Sequence, residues 1–392
     1  MKMTEFKLER LFAHYGPKAK HLLSATACES CSMNEVLEMA DDECKKLWEN
    51  LDLGYTDYRG HLKLREAITE RYKTLGPDDI LEVIPEEGIY ILMNVMLDEG
   101  DEVIAIQPTL PSLHEIPRAL GCTVIPWQLE MTDWGWRLDM DFLARTISSK
   151  TKMIILNIPN NPTGYVPVLT DLMRVASFAE KFGVWIFSEE TYRGMEHDPG
   201  AELPSVVDLS PRAVALGGIN KLGLAGSRVG WLASQNRSII AKCLAYKDYT
   251  SLCPSASSEI LALIAMRNFR TLIARSHKII LENLDLAQGF FASKPEWFQW
   301  TEPNGGSTAF PKLLSPFKVS ELCDKAMEDA QILIVPDRAF GISQNRFRLG
   351  FGKRDFGHAL ADFMDFMEKY TAQKDQKDTK NQETMKEAEK TK

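Results

Sequence analysis

The chain has little of several features that direct a protein to a particular environment. Only seven of its 392 residues are cysteine, a small and odd number that argues against a disulfide scaffold and indicates free thiols in a reducing compartment. No hydrophobic run approaches the roughly 20 residues that a membrane-spanning helix needs. Residues 1–12 mix charged and apolar side chains and lack the apolar stretch of a secretory signal. We therefore expect a cytoplasmic protein.

An excess of positive charge is also missing. Lysine and arginine number 46 against 55 aspartate and glutamate, a net charge of -9, so nothing draws the whole molecule toward nucleic acid or an anionic membrane. The 44% hydrophobic content excludes a disordered chain. Cys28 and Cys31 form an isolated C-x-x-C without a second pair or a histidine cluster. We interpret it as structural, expect no metal site, and take a small molecule as the expected partner.

The middle of the chain alternates short β-branched runs with segments of helical periodicity. The runs lie at residues 102–106, 123–127, 153–156, 184–187, 213–216 and 229–232. The segments 171–182 and 257–266 carry apolar residues at helical spacing. This alternation predicts an α/β fold with a parallel sheet and crossover helices.

The pattern changes along the chain and predicts several regions. We assign residues 51–285 to a large ligand-binding α/β domain and residues 286–370 to a smaller α+β domain, which the N-terminal segment 1–50 joins. Residues 371–392 contain six lysines and five acidic residues, and their only apolar side chain larger than alanine is Met385. Such a segment buries too little apolar surface to order itself, so we expect a disordered tail.

Two motifs follow predicted strands, where an open α/β sheet places its ligands. The string Asn-Ile-Pro-Asn-Asn-Pro-Thr-Gly begins at Asn157, directly after a strand, and taken alone it would fit an ordinary turn. The string Ser-Glu-Glu-Thr-Tyr holds Glu189 and Tyr192, whose carboxylate and phenol can converge on one bound ring. A solvated acidic strand end is the simpler alternative for this second motif.

Two further motifs contain cationic side chains. Lys221 is followed by glycines that let the backbone approach a ligand, and Arg228 stands seven residues later as a candidate phosphate partner. Arg348 lies within the apolar strand predicted at residues 347–351. Because arginine is rarely buried without a partner, we expect it to bind a carboxylate.

Together these motifs resemble the fold-type I pyridoxal 5′-phosphate (PLP) enzymes of aminotransferase class I/II. The similarity extends from about residue 53 to residue 366. It implies the PLP-dependent transferase fold, with a mostly parallel seven-stranded sheet in a large domain and a smaller α+β domain beside it. It also implies PLP as the cofactor and an amino acid as the substrate.

The resemblance assigns roles to the residues around the cofactor ring. Lys221 would bond to the cofactor and later move the proton at the substrate Cα. Glu189 would hold the proton of the ring nitrogen, which keeps the ring an electron sink. Asn161 and Tyr192 would bond the phenolic oxygen of the cofactor.

Three further residues would hold the charged ends of cofactor and substrate. By the same resemblance, Arg228 would bind the cofactor phosphate, and Arg348, with Asn161 beside it, would bind the substrate α-carboxylate. Tyr55 matches a tyrosine that reaches the phosphate of a neighbouring subunit. That match implies a homodimer with shared active sites.

The sequence departs from the family pattern at several cofactor positions. Glu189 stands where aspartate is usual, and Gly218 stands where a phosphate-binding serine is common. A Pro-Glu-Glu-Gly string ending in Glu87 and Gly88 replaces the usual Gly-Ala-Ser phosphate cup, which leaves mainly backbone N–H groups at a helix start to bind the phosphate. Leu110 stands where an aromatic residue often stacks on the ring, so stacking would be aliphatic and weaker.

Four strings, at residues 86–89, 247–250, 305–311 and 347–352, resemble the branch of the family that contains capreomycidine synthase. By that resemblance we expect an enzyme of specialised metabolism that acts on a hydroxylated arginine. It would remove the Cα proton and then proceed by elimination, cyclisation or C–C bond cleavage. A carboxylate of the N-terminal segment would then bind the guanidinium, with Glu9 and Glu29 as candidates and Thr26 beside the substrate. A solvated helix charge is the simpler reading of Glu9.

Two other functions are compatible with the same sequence. An ordinary class I/II aminotransferase would consume a 2-oxo acid as amino acceptor. A non-catalytic protein of the same fold is favoured by the altered phosphate cup, Leu110 and Glu189. Retention of Lys221, Asn161 and Arg348 argues against it.

Overall fold

The computed structural model describes residues 3–314 and 316–390, with side chains as far as Lys374 except that of Pro199. The strands are β1 Ile80–Val83, β2 Glu102–Gln107, β3 Thr123–Thr132, β4 Gly135–Leu138, β5 Thr151–Asn157, β6 Trp185–Glu189, β7 Ala213–Gly218, β8 Gly230–Ala233, β9 Phe298–Gln299, β10 Thr308–Ala309, β11 Lys312–Leu313, β12 Val335–Pro336 and β13 Phe347–Gly350. The helices are α1 Lys7–Tyr15, α2 Met33–Glu38, α3 Asp42–Glu49, α4 Leu62–Thr69, α5 Pro85–Met96, α6 Ser112–Ala119, α7 Asp141–Thr146, α8 Leu169–Phe182, α9 Arg237–Lys247, α10 Ala256–Arg267, α11 Phe269–Ser293, α12 Val319–Ala330 and α13 Phe356–Lys390.

Eight strands form the main sheet, in the order β1-β8-β7-β6-β5-β2-β3-β4. The pairings among β3, β2, β5, β6 and β7 are parallel, whereas β8 is antiparallel to β7 and β1 is antiparallel to β8. Each of the six predicted runs overlaps a strand of this sheet, and the predicted α/β fold is confirmed.

The sheet has one strand more than the seven expected. Strand β4 pairs antiparallel with the end of β3, so the chain turns back through a tight hairpin at residues 133–134. Gly135 follows the turn with a φ of 99°, a left-handed conformation that favours glycine. The sequence pattern gave no sign of this strand because none of its four residues, Gly-Trp-Arg-Leu, is β-branched.

Both faces of the sheet are covered, as a sheet of buried parallel strands requires. Alternate residues point to opposite faces, so Ile186 packs into one apolar core and its neighbour Phe187 into the other. Helices α5, α6 and α9 contribute Ile91, Leu113 and Ile240 to the second core. The polar ends of β5, β6 and β7 therefore meet at one edge of a rigid layer.

The C-terminal part contains two small sheets, β10-β13-β12 and β11-β9. The N-terminal segment lies along the first of them, since His21 bridges Ile332 and the Gly350 N–H donates to the Leu23 carbonyl over 2.8 Å. Residues from the two ends of the chain are thereby brought close to the main sheet.

Helix α13 runs to Lys390, through most of the segment for which the sequence predicts a disordered tail. Residues 391 and 392 lie outside the described part of the chain. The helix is anchored by Phe356, Phe363 and Met367 in the core, and elongating an existing helix avoids the cost of nucleation. The residues beyond are mostly lysine, glutamine and glutamate, which are good helix formers. Among the described residues, no helix combines the length and apolar character that crossing a membrane demands.

Candidate active site

The ends of β5 and β6 join two buried polar side chains. Asn157 and Glu189 are register partners in the sheet, and the Asn157 Nδ2 group donates to Glu189 Oε2. The Thr191 N–H donates to Glu189 Oε1 over 3.0 Å. Burial raises the pKa of the Glu189 carboxyl, while the hydrogen bonds from Thr191 and the Lys221 charge act in the opposite direction. The Glu189 carboxyl is therefore buried and is held in one orientation by hydrogen bonds from Asn157 and Thr191.

Asn157 also organises the turn that follows β5. Its Oδ1 atom accepts hydrogen bonds from the Asn161 N–H over 2.8 Å and from Asn160 Nδ2 over 3.4 Å. The turn closes on Gly164, where an added Cβ would lie 2.3 Å from Pro303 Cβ. Asn157 begins the first motif, but nothing in the sequence pattern marked it as the residue that orients Glu189.

Lys221 lies in a short turn, Asn220–Leu222, just beyond the end of β7. Its side chain is buried, with Nζ 3.1 Å from Thr26 Oγ1 and 4.7 Å from the centroid of the Tyr192 ring. Thr26 is 195 residues away in sequence, so the N-terminal segment covers the lysine. The predicted Lys221, Tyr192 and Thr26 are thus brought together.

A closed set of hydrogen bonds surrounds the Tyr192 hydroxyl. Its oxygen lies 3.0 Å from the Thr26 carbonyl oxygen and 2.8 Å from Ser307 Oγ. The Ser307 hydroxyl in turn donates to the same Thr26 carbonyl over 2.9 Å. Ser307 is 115 residues from Tyr192 in sequence, and the sequence carried no signal for this contact.

Arg348 lies in β13 with only 2% of its surface exposed. Its Nε donates to the Ser24 carbonyl and its Nη1 to Asn161 Oδ1, both over 3.2 Å. The rings of Phe12 and Phe340 lie 5.6 and 5.4 Å from its guanidinium carbon. Burial lowers the pKa of Arg348 to about 10, so it stays cationic at neutral pH.

The carboxylate expected beside Arg348 is not supplied by the described part of the chain, where this arginine forms no ion pair. A buried cation without a protein partner is costly. The arrangement therefore suits a carboxylate brought by a ligand.

A cavity of about 560 Å³ opens in front of Lys221. Its walls include Thr26, Asn220 and Arg228, apolar side chains such as Phe6 and Ile116, and four glutamates: Glu5, Glu9, Glu86 and Glu115. Asn220 Oδ1 is buried and has no hydrogen-bond partner among the described residues, as expected of an atom that a ligand would satisfy.

The four glutamates differ in their partners. Burial raises the pKa of Glu115, but hydrogen bonds from Thr4 and Arg118, each 2.5 Å, outweigh it and hold the pKa below its ordinary value. Among the described residues, Glu5 and Glu9 take part in no ion pair. The outer cavity wall is therefore acidic.

Arg228 follows the turn Ala225–Ser227 and has a left-handed backbone conformation with a φ of 56°. Its side chain reaches the first turn of helix α5. Its Nη2 atom lies 3.3 Å from Glu86 Oε2, and both side chains are about half exposed, at 48% and 57%. The predicted phosphate-binding arginine is therefore held by an acid of the same site.

The other predicted phosphate positions do not face the cavity. Glu87 accepts hydrogen bonds from Thr250 Oγ1 over 2.5 Å and from the Ser251 N–H over 3.0 Å. Gly88 packs on the sheet, where an added Cβ would lie 2.7 Å from Val83 Cγ2. Helix packing and capping explain both residues without a ligand.

Four other sequence candidates lie apart from the cavity. Tyr55 is 83% exposed, Leu110 packs at the junction of the two cores, and Glu29 accepts from the Arg354 N–H over 3.0 Å. At Gly218 an added Cβ would come within 3.1 Å of Asn220 Oδ1. Of the two N-terminal acids considered, the structure brings only Glu9 to the cavity wall.

The C-x-x-C pair lies close to this region, since the Lys221 charge acts on the Cys28 thiol. Cys28 is buried and Cys31 half-buried, both as free thiols, and burial raises the pKa of each. Among the described residues, no cluster of three or more histidine, cysteine or acidic side chains could hold a metal.

Comparison with known proteins places this geometry in a family. Residues 32–360 match the sequence model of the family described as aminotransferase class I and II. The chain belongs to this family. It is accordingly an enzyme of a PLP-dependent family, and PLP is its cofactor.

The relatives of this family member include enzymes of more than one reaction type. Capreomycidine synthase from Streptomyces vinaceus is 27% identical over 300 residues, 74% of this chain and 75% of that protein. Aromatic-amino-acid aminotransferase 2 from Thermococcus litoralis is 28% identical over 357 residues, 83% of this chain and 87% of that protein. A solved structure of the PLP-dependent cyclase OrfR is similar with a TM-score of 0.86 and 26% identity, covering 94% of this chain and 98% of that chain.

The residues present fit this cofactor. Lys221 is a buried amine at the cavity, Glu189 is a buried acid on which the Lys221 charge acts, and Arg228 supplies a cation at a helix N-terminus. The orphaned Asn220 oxygen offers an additional polar contact.

Proposed function

We propose that this enzyme acts on an α-amino acid with a cationic side chain, such as a hydroxylated arginine, in specialised metabolism. It removes the Cα proton and then eliminates, cyclises or cleaves a C–C bond within the side chain. PLP, when bound, supplies the electron sink that stabilises negative charge at Cα.

The acidic cavity wall carries this proposal. Glu5 and Glu9, which form no ion pair among the described residues, line the space in front of Lys221 together with Glu115, which is already paired with Arg118. The cations lining it among the described residues are Lys221 and Arg228. Both cations are committed to the cofactor, so a substrate with an acidic side chain would meet only negative charge. A guanidinium would find carboxylate acceptors that match its planar donors.

The buried residues have separate tasks in this reaction. Arg348 and Asn161 bind the substrate α-carboxylate and thereby orient the bonds at Cα. The Lys221 amine carries the proton to and from Cα, with Thr26 Oγ1 as its hydrogen-bond partner. Glu189 holds a proton at the nitrogen of the cofactor ring, and Arg228 binds the phosphate.

The similarity to capreomycidine synthase and to a PLP-dependent cyclase supports a reaction in which the amino group stays on the product. The exposed residues Leu53, Tyr55 and Tyr249, which are 83%, 83% and 90% exposed, support a homodimer in which Tyr55 reaches the partner's phosphate. All seven cysteines are free thiols, which supports our expectation of a cytoplasmic location.

The proposal is tested by incubating the PLP-loaded enzyme with hydroxyarginines, arginine and aspartate, each with and without a 2-oxo acid. In deuterated water, we expect deuterium at Cα and a product from the hydroxyarginine without the 2-oxo acid, detected by NMR and mass spectrometry. The K221A variant serves as the inactive control. Turnover of aspartate in preference to every cationic substrate would contradict the proposal.

An ordinary aminotransferase is the second candidate. The 28% identity to an aromatic-amino-acid aminotransferase over 83% of this chain favours it. That enzyme type would consume one 2-oxo acid for each amino acid converted. A stoichiometric requirement for the acceptor in the same assay would therefore decide for this candidate.

A further inference from the structure

We infer that Ser307 is a positioning residue for Tyr192, which it turns toward the cofactor as a stronger hydrogen-bond donor. This inference rests on the proposed role of Tyr192 at the phenolic oxygen of PLP. Ser307 does not line the cavity in front of Lys221, so any effect it has on the reaction passes through its neighbours.

The hydrogen bonds around Tyr192 allow only a few arrangements of protons. Tyr192 and Ser307 each have one hydroxyl proton, whereas the Thr26 carbonyl can only accept. Without a ligand, both protons can be directed at Thr26. When an anionic oxygen binds in front of Tyr192, the tyrosine proton turns toward it, and only Ser307 can then donate to the tyrosine oxygen. A chain of donors pointing the same way strengthens each bond in it.

The backbone holds Ser307 firmly in this place. The Gly306 N–H donates to the Met195 carbonyl and the Phe351 N–H to the Ser307 carbonyl, both over 2.8 Å. Gly306 has a φ of 71°, and an added Cβ there would lie 3.4 Å from the Tyr192 ring. Ser307 itself is fully buried, so its hydroxyl cannot turn to water instead.

His197 contacts the turn that precedes Ser307, at residues 303–306. Its Nε2 lies 2.8 Å from the Gly306 carbonyl and its Nδ1 3.0 Å from the Pro303 carbonyl. Both carbonyls can only accept, so a neutral imidazole donates to one of them, and the His197 backbone N–H donates to the Asn304 carbonyl of the same turn over 2.8 Å. The serine oxygen is therefore placed by the fold rather than by its own rotamer preference.

The contact also reaches Lys221. Thr26 accepts from Ser307 through its carbonyl and from the Lys221 ammonium through its side chain, over 2.9 and 3.1 Å. A change at position 307 should therefore alter the cofactor environment without removing a side chain that lines the cavity.

The experiment follows the visible absorption band of the PLP-loaded enzyme as the pH is changed. Donors to the phenolic oxygen stabilise its anionic form, so losing one raises the midpoint pH at which the bound cofactor loses its proton. For S307A we expect a rise of up to about one pH unit, and for S307T, which keeps the hydroxyl, a midpoint close to that of the wild type. In a Y192F background, S307A should cause no further shift.

The S234A variant is the matched control. Ser234 is also fully buried and donates to a backbone carbonyl, that of Ala213 over 2.7 Å, but it lies away from the cavity. We expect S234A to lower the melting temperature without moving the midpoint. If S307A does not fold, S307C keeps the shape of the serine side chain and leaves only a weak hydrogen-bond donor. S307C should then also raise the midpoint pH.

The possible results distinguish the role of Ser307 from the proposed function on which that role rests. A titrating band in the wild type with an unchanged midpoint in folded S307A, or in folded S307C, would overturn the role of Ser307 alone. An equal shift in S307A and S307T would also overturn it, because the hydroxyl would then be irrelevant. Absence of a bound-cofactor band in the wild type would overturn the proposed function and, with it, this inference.

Discussion

Replacing Glu86 with glutamine is expected to tighten the binding of PLP. The Glu86 carboxylate lies 3.3 Å from the Arg228 guanidinium, the group that we propose binds the cofactor phosphate. It also adds negative charge to the first turn of helix α5, where the phosphate would approach. The acid therefore competes with the phosphate for the arginine and repels it as well.

The size of the effect follows from the exposure of the pair. Both side chains are about half exposed, and ion pairs of this kind contribute at most about 1 kcal/mol. Since about 1.4 kcal/mol is a factor of ten in affinity, freeing Arg228 improves binding by up to about fivefold. Adding the lost repulsion, we expect the Kd of PLP to fall by about 3- to 10-fold in E86Q at low salt.

The assay is a titration of the apoenzyme with PLP, followed by visible absorbance, at two ionic strengths. The screening length falls from about 30 Å at 0.01 M to about 3 Å at 1 M, so the two proteins should converge at high salt. The melting temperature of the apoenzyme should change in the opposite sense, because an acid in the first turn of a helix stabilises it. If E86Q binds PLP more tightly but melts at a lower temperature, Glu86 competes with the phosphate for Arg228. A variant that was only better folded would instead show a higher melting temperature.

A matched control is available in helix α12. Glu321 also lies in the first turn of its helix and is exposed, but it does not line the cavity. E321Q should lower the melting temperature without changing the affinity for PLP. Weaker PLP binding by E86Q at low salt would contradict this prediction, since Glu86 would then be holding Arg228 in place for the phosphate.

Three further predictions concern catalysis, assembly and stability. K221A should lose turnover by at least about 10³-fold and E189Q by about 100-fold while both keep the wild-type circular dichroism, and near-normal kcat in either variant would remove that residue from the proposed mechanism. Mixing equal amounts of K221A and Y55A under conditions that exchange subunits should restore about a quarter of the activity at limiting PLP, because about half of the dimers are then mixed and each mixed dimer has one intact site of two. No recovery in confirmed mixed dimers would show that Tyr55 does not act across subunits. Burial and the Glu259 carboxylate raise the pKa of Glu82 well above its ordinary value, so the native state retains a proton that the unfolded chain releases above about pH 4.3. Stability is therefore lost as the pH rises from there to the native pKa, and E82Q should melt higher than the wild type at pH 8 by more than at pH 5; equal differences at the two pH values would contradict the assignment.

The residues at the strand ends were accessible to sequence reasoning because their signals are local. Asn161, Glu189 and Lys221 each follow a run whose composition marks a buried strand, and parallel strands end at one edge of the sheet. Arg348 was found because a lone cation in an apolar strand contrasts with its neighbours. These patterns depend on a few consecutive residues, so no knowledge of packing was needed.

Contacts between distant segments had no such signal. Thr26 and Lys221 are 195 residues apart, and Ser307 and Thr26 are 281 apart. Nothing in a short window distinguishes Glu115, which lines the cavity, from Glu29, which turns to the Arg354 backbone. Which surface acid faces the substrate depends on how helices α1 and α6 pack, and that packing is decided by the whole core.

The α/β fold, the family and the cofactor followed from the amino-acid sequence alone, as did our proposal for the buried residues that bind the cofactor, since each depends on periodicity or on a contiguous motif. The tertiary structure decided the acidic character of the cavity wall, the ion pair between Arg228 and Glu86, and the hydrogen bonds that join Ser307 to Tyr192. The physical reason is that a side chain's chemistry is set by its type, whereas its partner is set by the packing of segments that the chain brings together only on folding.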